Sequence, residues 1–454
     1  MRYGNALHWD ILGIYSCIIE GLSKARSIFG PKFDGIGVDA WGVDYVMLDP
    51  DNRILGTPYH YRDDRTDGIV EEAFNVVPAE SLYASTGIQV QQFNTLFQLL
   101  AERKSKLSLL DMADRFLLIP DFVNFVLSGV PTAEFTIAST TGLANPFRRD
   151  WDWESIEKFS FPRKLFSRMV EPGTILGPVT PAIAELTGLS TGTPVIATAG
   201  HDTASAVVSI PAAGGDDWTF LSCGTWSLLG KELQRPLLSS DARECNFTNE
   251  GGVNGTTRLL KNIIGLWPLQ EYRRNLNRTP VKYDYATLTK LAVDDGPAGA
   301  WVNLNEQSFL KVGDMRSRIA DRLERSGQTA RSSIGFFVRV LLESLALEYR
   351  KSVRELERVT GARIGTIHAV GGGIQNEFLM QMTADSTGST VIAGPIEGTA
   401  AGNVGVQALA VGAVTDLAEW RSIMARSSEL RSYVPGDTRY FDDNYEAFLS
   451  VLKP

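Results

Sequence analysis

Twice along this chain a short apolar run ends at glycine and turns at once into a helical pattern. Pro194–Ala199 leads through Gly200-His201-Asp202 into Thr203–Val208, and Ile364–Val370 leads through Gly371-Gly372-Gly373 into Glu377–Ser386. Thr390–Ala393 followed by Ala400–Leu409 repeats the order. Strands that alternate with helices in this way indicate an α/β fold, with loops at strand ends as the place for chemistry.

Other stretches add elements. Ile11, Ile14, Ile18, Ile19 and Leu22 recur at helical spacing behind Asp10, a suitable cap. Gly35–Asp39 and Tyr45–Leu48 read as strands. Asp49-Pro50-Asp51-Asn52 has turn chemistry, which predicts Ile54–Tyr59 as the returning hairpin arm. Pro78–Phe147 reads as helix and loop, with an amphipathic stretch at Asp121–Leu127 ending near Gly129, and Asp150–Trp153 as a surface loop. Thr219–Cys223 and Trp226–Leu229 flank a Gly-Thr turn, and Ile334–Val359 predicts a long helix. A chain of 454 residues exceeds one ordinary core, so two or three domains are expected, with Gly214-Gly215-Asp216-Asp217 as the best boundary.

Bulk properties exclude several classes of function. The net charge of -9, from 44 Lys+Arg against 53 Asp+Glu, gives no electrostatic reason to bind nucleic acid or an anionic membrane. Cys17, Cys223 and Cys245 are odd in number and match no zinc spacing, which suits a reducing compartment without disulfides. Met1–Asp10 has no long apolar segment of a secretory signal, and no apolar run reaches the roughly 18 residues of a membrane span. A cytoplasmic protein is expected.

Four constellations carry chemistry. In Gly200-His201-Asp202-Thr203 a strand delivers a carboxylate to a helix start, where it can accept the proton of an attacking hydroxyl; an Asp in that place is equally a common N-cap. Ser222-Cys223-Gly224-Thr225-Trp226-Ser227 offers backbone N–H groups and a hydroxyl suited to phosphate oxygens, or an ordinary hairpin turn. Gly371-Gly372-Gly373 lets the backbone approach a nucleotide but lacks the dinucleotide spacing, and no Walker sequence occurs anywhere. Asp39-Ala40-Trp41-Gly42-Val43-Asp44 with Tyr61-Arg62-Asp63 supplies the carboxylates, Arg and aromatic wall that hold polyols. Surface ion pairs and a core Trp would supply the same types. His8, His60 and His368 show no partner pattern.

The order of these motifs is more specific than any one of them. Asp-Ala-Trp-Gly-Val-Asp, Tyr-Arg-Asp, Gly-His-Asp-Thr-Ala-Ser-Ala, Gly-Thr-Trp-Ser-Leu, Thr-Asn-Glu-Gly-Gly and Gly-Gly-Gly-Ile-Gln-Asn follow one another as in the FGGY carbohydrate kinases, which the chain resembles from about Trp9 to Tyr433. Thr248–Gly252, Leu260-Lys261-Asn262-Ile263, Gly265-Leu266-Trp267 and Gln270 resemble the rhamnulokinase branch rather than glycerol or xylulose kinases. The resemblance implies two actin-like, ribonuclease-H-like domains around a central cleft. The expected division is a sugar-binding domain over 1–210, a nucleotide-binding domain over 211–425, and a C-terminal segment over 426–454 that packs back on the first domain as a helix.

It further implies ATP-dependent phosphorylation of the 1-hydroxyl of L-rhamnulose. Asp202 would be the catalytic base, with Gly42, His201 and Thr203 lining the sugar beside Trp41, Arg62 and Asp63. Thr225, Asn262, Gln270, Gly371, Gly372 and Gly373 would contact ATP, and Mg2+, with Asp202 as a ligand, would accompany it. No nucleic-acid or membrane partner is implied, and no oligomeric state. Members of the family open with a β-hairpin carrying an Asp-x-Gly-x-x-Ser-like phosphate loop, which Met1–Asp39 does not contain. The expectation is therefore a first domain lacking those strands, with Gly35–Asp39 beside an unpaired edge. Three readings follow: a kinase whose start codon is misplaced, an impaired pseudokinase that binds sugar or nucleotide, and a kinase for a related ketose such as fuculose.

Overall fold

The computed structural model describes residues 1–105, 108–212 and 217–453. The chain divides into two compact units, each assembled from three stretches. The first unit gathers Met1–Ser209, Glu232–Leu259 and Thr399–Trp420; the second gathers Ile210–Lys231, Leu260–Gly398 and Arg421–Pro454. A division at single points of the sequence cannot represent this, because two stretches beyond residue 211 pack with the first unit. Of the glycine-acid stretch expected at the boundary, only Asp217 lies within the described residues. No helix among the described residues is long and apolar enough to cross a membrane.

In the first unit the helix Ile11–Phe29 starts where Asp10 accepts a hydrogen bond from the Gly13 N–H (3.0 Å). A three-stranded sheet has the order Thr174–Pro178, Pro194–Ala197, Ile36–Gly37. Ile36–Gly37 runs parallel to Val195–Ile196 and forms one edge of the sheet, where an edge strand was expected. One bridge continues this pairing, Ala40 to His201, and it sets the end of the strand beside the chemistry described below.

Two expectations fail in this unit. Tyr45–Leu48 pairs along its length with Arg115–Leu118, not with Ile54–Tyr59, which contributes a single bridge from Ile54 to Leu48. The predicted turn does form, with Asn52 N–H bonded to Asp49 O (2.9 Å). Beyond it Gly56 adopts φ +70° and Pro58 has no N–H to give, so the returning ladder stops. Asp150–Trp153 is not a surface loop. Trp151 is 2% exposed, its indole N–H donates to Ser167 O (2.8 Å), and Asp150–Trp151 pairs with Ala144–Asn145. Asp152 is itself buried and accepts from the Ser155 hydroxyl (2.6 Å), and the large apolar ring decides the placement.

The second unit is built on a sheet in which Ser227–Leu233, Trp218–Cys223, Thr366–Val370, Thr390–Ala393 and Arg431–Tyr433 follow one another. The first pair is an antiparallel hairpin closing at Cys223–Ser227, and the next two pairings are parallel, as strand–helix–strand passages require. Ile334–Thr360 is a long helix, capped at its end by Gly361 at φ +68°. The last helix, Arg439–Val451, belongs to this second unit and not to the first, as had been expected. Phe441, Tyr445 and Phe448 are buried, Asp442 pairs with Arg350, and Arg354 lies 4.3 Å from the Tyr445 ring centre. These cation and aromatic partners on Ile334–Thr360 fix the helix there.

Candidate active site

Asp202 stands at the end of the strand Pro194–Ala197, in the first turn of the helix Asp202–Val208. His201 occupies the N-cap position and no side chain caps the helix, so the carboxylate of Asp202 is not used as a cap. Its side chain is 46% exposed, while His201 and Thr203 beside it are buried. The Thr203 hydroxyl donates to Asp202 Oδ1 (3.1 Å), and the Asp202 N–H is held by Ala40 O (2.9 Å). A half-exposed carboxylate with a fixed backbone can accept a proton from a bound hydroxyl.

The backbone behind it is clamped by buried polar groups. Glu134, fully buried, accepts from Gly200 N–H (2.9 Å), Thr136 N–H (2.7 Å), Ile137 N–H (3.2 Å) and the Thr136 hydroxyl (2.5 Å). The same Thr136 oxygen receives the His201 N–H (3.2 Å). Asp121 accepts from the Glu134 N–H (3.0 Å). Burial outweighs the donors and lifts Glu134 to about 7; burial raises Asp121 as well. On its other side, His201 Nδ1 is 3.0 Å from Glu250 Oε2, which also receives Arg258 (3.1 Å).

Sequence reasoning missed Glu134, Glu250 and Arg258. Thr248–Gly252 served it only as a marker of resemblance, and no spacing links residue 134 or 258 to residue 201. Asp39 was quoted without a role. Its carboxylate accepts from the Asn403 amide (2.6 Å) and is pushed to about 6, chiefly by burial and further by the charge of Asp202.

The other residues expected around a sugar divide. Gly42 lies against Thr140, whose Oγ1 would be 3.0 Å from an added Cβ, and Thr140 accepts from the Val43 N–H (3.2 Å). Trp41 and Trp9 both donate their indole N–H to Asp44 Oδ2, at 3.0 and 2.6 Å. Asp44 also accepts from Tyr61 N–H and the Gln98 amide and has no exposed surface, so it is a structural anchor and not a sugar ligand. Burial lifts it to about 6 in spite of these donors. The Asp63 carboxylate is buried and accepts from Leu7 N–H (2.6 Å) and Arg65 N–H (3.0 Å). Arg62 lies 5.0 Å from the Tyr61 ring centre.

In the second unit, Thr225 sits in the hairpin turn, and its hydroxyl donates to Gln270 Oε1 (3.2 Å). The turn is tied to the start of the next helix by Leu266 N–H to Gly224 O (2.9 Å) and Trp267 N–H to Thr225 O (3.1 Å). The glycine triplet packs on the end of the same hairpin: Gly371 has φ +92°, and a Cβ on Gly373 would fall 2.4 Å from Cys223 Sγ. Gly372, by contrast, has nothing within 4 Å of its Cβ position. Asn262 lies on the strand Thr257–Ile263. Thr225, Gln270 and the triplet are thus grouped around Cys223 and the hairpin turn, a glycine-rich surface of the kind that admits phosphates.

Comparison with known proteins identifies the family. Residues 8–209 match the N-terminal domain, and residues 219–411 the C-terminal domain, of the FGGY family of carbohydrate kinases. A rhamnulokinase of Bacteroides thetaiotaomicron is 40% identical over 453 residues, covering 100% of this chain and 92% of the relative. One from Pectobacterium atrosepticum is 40% identical, covering 100% and 90%, and one from Bacillus subtilis 36%, covering 96% and 88%. Among solved structures, a ligand-bound xylulose kinase of Lactobacillus acidophilus superposes with a TM-score of 0.79 at 17% identity over 99% of this chain and 90% of its own. A glycerol kinase of Plasmodium falciparum with ADP gives 0.78 at 15% over 100% and 92%. The fold is therefore that of the two-domain, actin-like sugar kinases, and the chain belongs to the FGGY family of carbohydrate kinases.

Proposed function

We propose that this chain transfers the γ-phosphoryl group of ATP to the 1-hydroxyl of L-rhamnulose, in the cytoplasm, with Asp202 as general base. The observation that carries the assignment of the base is the half-exposed Asp202 carboxylate, released from capping and backed by a buried brace. The substrate follows from full-length likeness to rhamnulokinases. Asp202 takes the proton of the attacking hydroxyl, help worth about 10²–10⁴ in rate. His201, Thr203, Gly42, Trp41 and Arg62 border the sugar, and Asp63 holds the Leu7 and Arg65 backbone beside them. Thr225, Asn262, Gln270 and Gly371–Gly373 hold ATP.

Mg2+ fits such a site as a companion of ATP. It takes one or two protein carboxylates and completes its shell with water and phosphates, and the half-exposed Asp202 carboxylate is open to such a role. Asp202 suits it as a single protein ligand. When bound, Mg2+ neutralises charge developing on the transferred group.

The test is a ketose panel with an ADP-coupled readout and product analysis. L-Rhamnulose should give the highest kcat/KM and a 1-phosphate. A higher value for L-fuculose or D-xylulose would overturn the substrate assignment, and no ADP release with any sugar would overturn the kinase assignment.

A further inference from the structure

The Thr248–Gly252 motif contains Glu250, a buried residue to which the reaction as described gives no role. Its Oε2 lies 3.0 Å from His201 Nδ1 and accepts from Arg258 (3.1 Å). Arg258 has no exposed surface, also donates through Nε to Gly251 O (2.8 Å), and has a 3.2 Å contact with His201 Nδ1. Gly251 N–H in turn donates to Ser139 Oγ (2.8 Å), and a Cβ at Gly251 would fall 2.6 Å from the Phe135 ring. The carboxylate therefore has a fixed seat.

This arrangement favours one placement of the imidazole proton. An oxygen of a carboxylate 3.0 Å from a ring nitrogen needs a proton between them, because two lone pairs at that distance repel. Arg258 can only donate, and Glu250 Oε2, nearer to Nδ1 (3.0 Å) than Arg258 Nη2 is (3.2 Å), takes one proton from Arg258 (3.1 Å) and the Nδ1 proton from His201. The opposite ring nitrogen, Nε2, is then bare. It lies 3.6 Å from Asp202 Oδ1, beyond hydrogen-bond reach.

We infer that Glu250, fixed by Arg258, is a positioning residue that holds His201 as the Nδ1–H tautomer, which makes Nε2 an acceptor for a sugar hydroxyl and leaves Asp202 free to take the reacting proton. The opposite tautomer would aim an N–H at Asp202, weaken it as a base, and remove the acceptor. A substrate must then present a hydroxyl donor at Nε2, so Glu250 also bears on which sugars bind. This inference rests on the sugar-kinase reading for the identity of the ligand, but not for the state of the ring.

The chain has only four histidines, so each ring can be resolved in ¹⁵N-histidine-labelled protein, with His201→Asn to assign the signal. The wild type without ligand should show His201 protonated at Nδ1 and bare at Nε2. A proton on Nε2, in either charge state, overturns the proposal, and this measurement needs neither a substrate nor a destabilised variant.

Kinetics supply a second arm. Glu250→Gln keeps an acceptor oxygen and should keep the tautomer, with the ketose KM within about threefold of wild type. The double variant Glu250→Met/Arg258→Met removes the ion pair as a unit, a change that folds are often able to absorb. It should raise the ketose KM by about tenfold, the loss of one hydrogen bond, with the ATP KM unchanged. A ketose KM within twofold of wild type in the double variant would overturn the role in sugar binding. If the double variant does not fold, the wild-type ring decides alone. Failure of L-rhamnulose as substrate would leave the ring result untouched, so the two readings can fail separately.

Discussion

Glu134 shows how much one buried carboxylate contributes to the geometry of this site. It has no exposed surface, yet four donors converge on it, one of them the Gly200 N–H two residues before Asp202. Burial wins over the donors and raises it from 4.5 to about 7. The folded state therefore binds this proton more tightly than the unfolded state. The stability so gained is present below about pH 4.5 and is lost as pH rises through about 7. Chemical unfolding of the wild type from pH 5 to 8 should show a decline to which Glu134 contributes roughly 1–3 kcal/mol. Glu134→Gln, whatever its absolute stability, should have a shallower slope; an unchanged slope would mean that Glu134 stays ionised throughout. Asp202 was legible in the sequence because its neighbours in space are its neighbours in the chain. Glu134, Glu250 and Arg258 were not, since Glu134 reaches Gly200 across 66 positions, and Glu250 and Arg258 reach His201 across 49 and 57. Asp44 misled for a related reason: its residue type fits a polyol site, but the hydrogen bonds of the buried carboxylate come from Trp9 and Gln98 as well as from Trp41.

Elements were read well where period and punctuation agree. Ile334–Thr360, Glu377–Thr387 and Thr390–Ala393 lie within about a turn of their expected bounds, because glycine or a switch of period marks each end. Arg115–Leu118 was lost because a four-residue strand in a helical neighbourhood has no period of its own. The glycine triplet gives a sharp test of how an element serves the site. Gly373→Ala would put a Cβ 2.4 Å from Cys223 Sγ and 2.8 Å from Cys223 O, forcing the strand end to move. A stability loss of about 1–3 kcal/mol is expected, measured by urea unfolding. Gly372→Ala meets nothing within 4 Å and should leave stability within about 0.5 kcal/mol while weakening ATP binding. Equal stability losses in both variants would refute the packing account, and unchanged ATP affinity in Gly372→Ala would place the nucleotide elsewhere.

At the scale of the molecule, two units built from interleaved stretches should respond to ligands separately. L-Rhamnulose should slow amide exchange around Gly200–Val208 in the first unit, and a nonhydrolysable ATP analogue should do so around Cys223–Ser227 and Gly371–Asn376 in the second. Protection of the first region by the analogue alone, with the second unchanged, would reverse the assignment of ligands to units. The interleaving itself was not legible in the sequence: Glu232–Leu259 and Thr399–Trp420 join the first unit through contacts such as Asn403 to Asp39, which no local pattern announces.

Asp202 as the base of an ATP-dependent kinase for L-rhamnulose is tested by kcat for wild type and Asp202→Asn on that sugar, with ATP binding followed in parallel. The wild type should turn over, and the variant should lose roughly 10²–10⁴ in kcat with its ATP affinity unchanged. Variant activity within a few-fold of wild type would contradict it, leaving Asp202 a first-turn acid with no part in the chemistry.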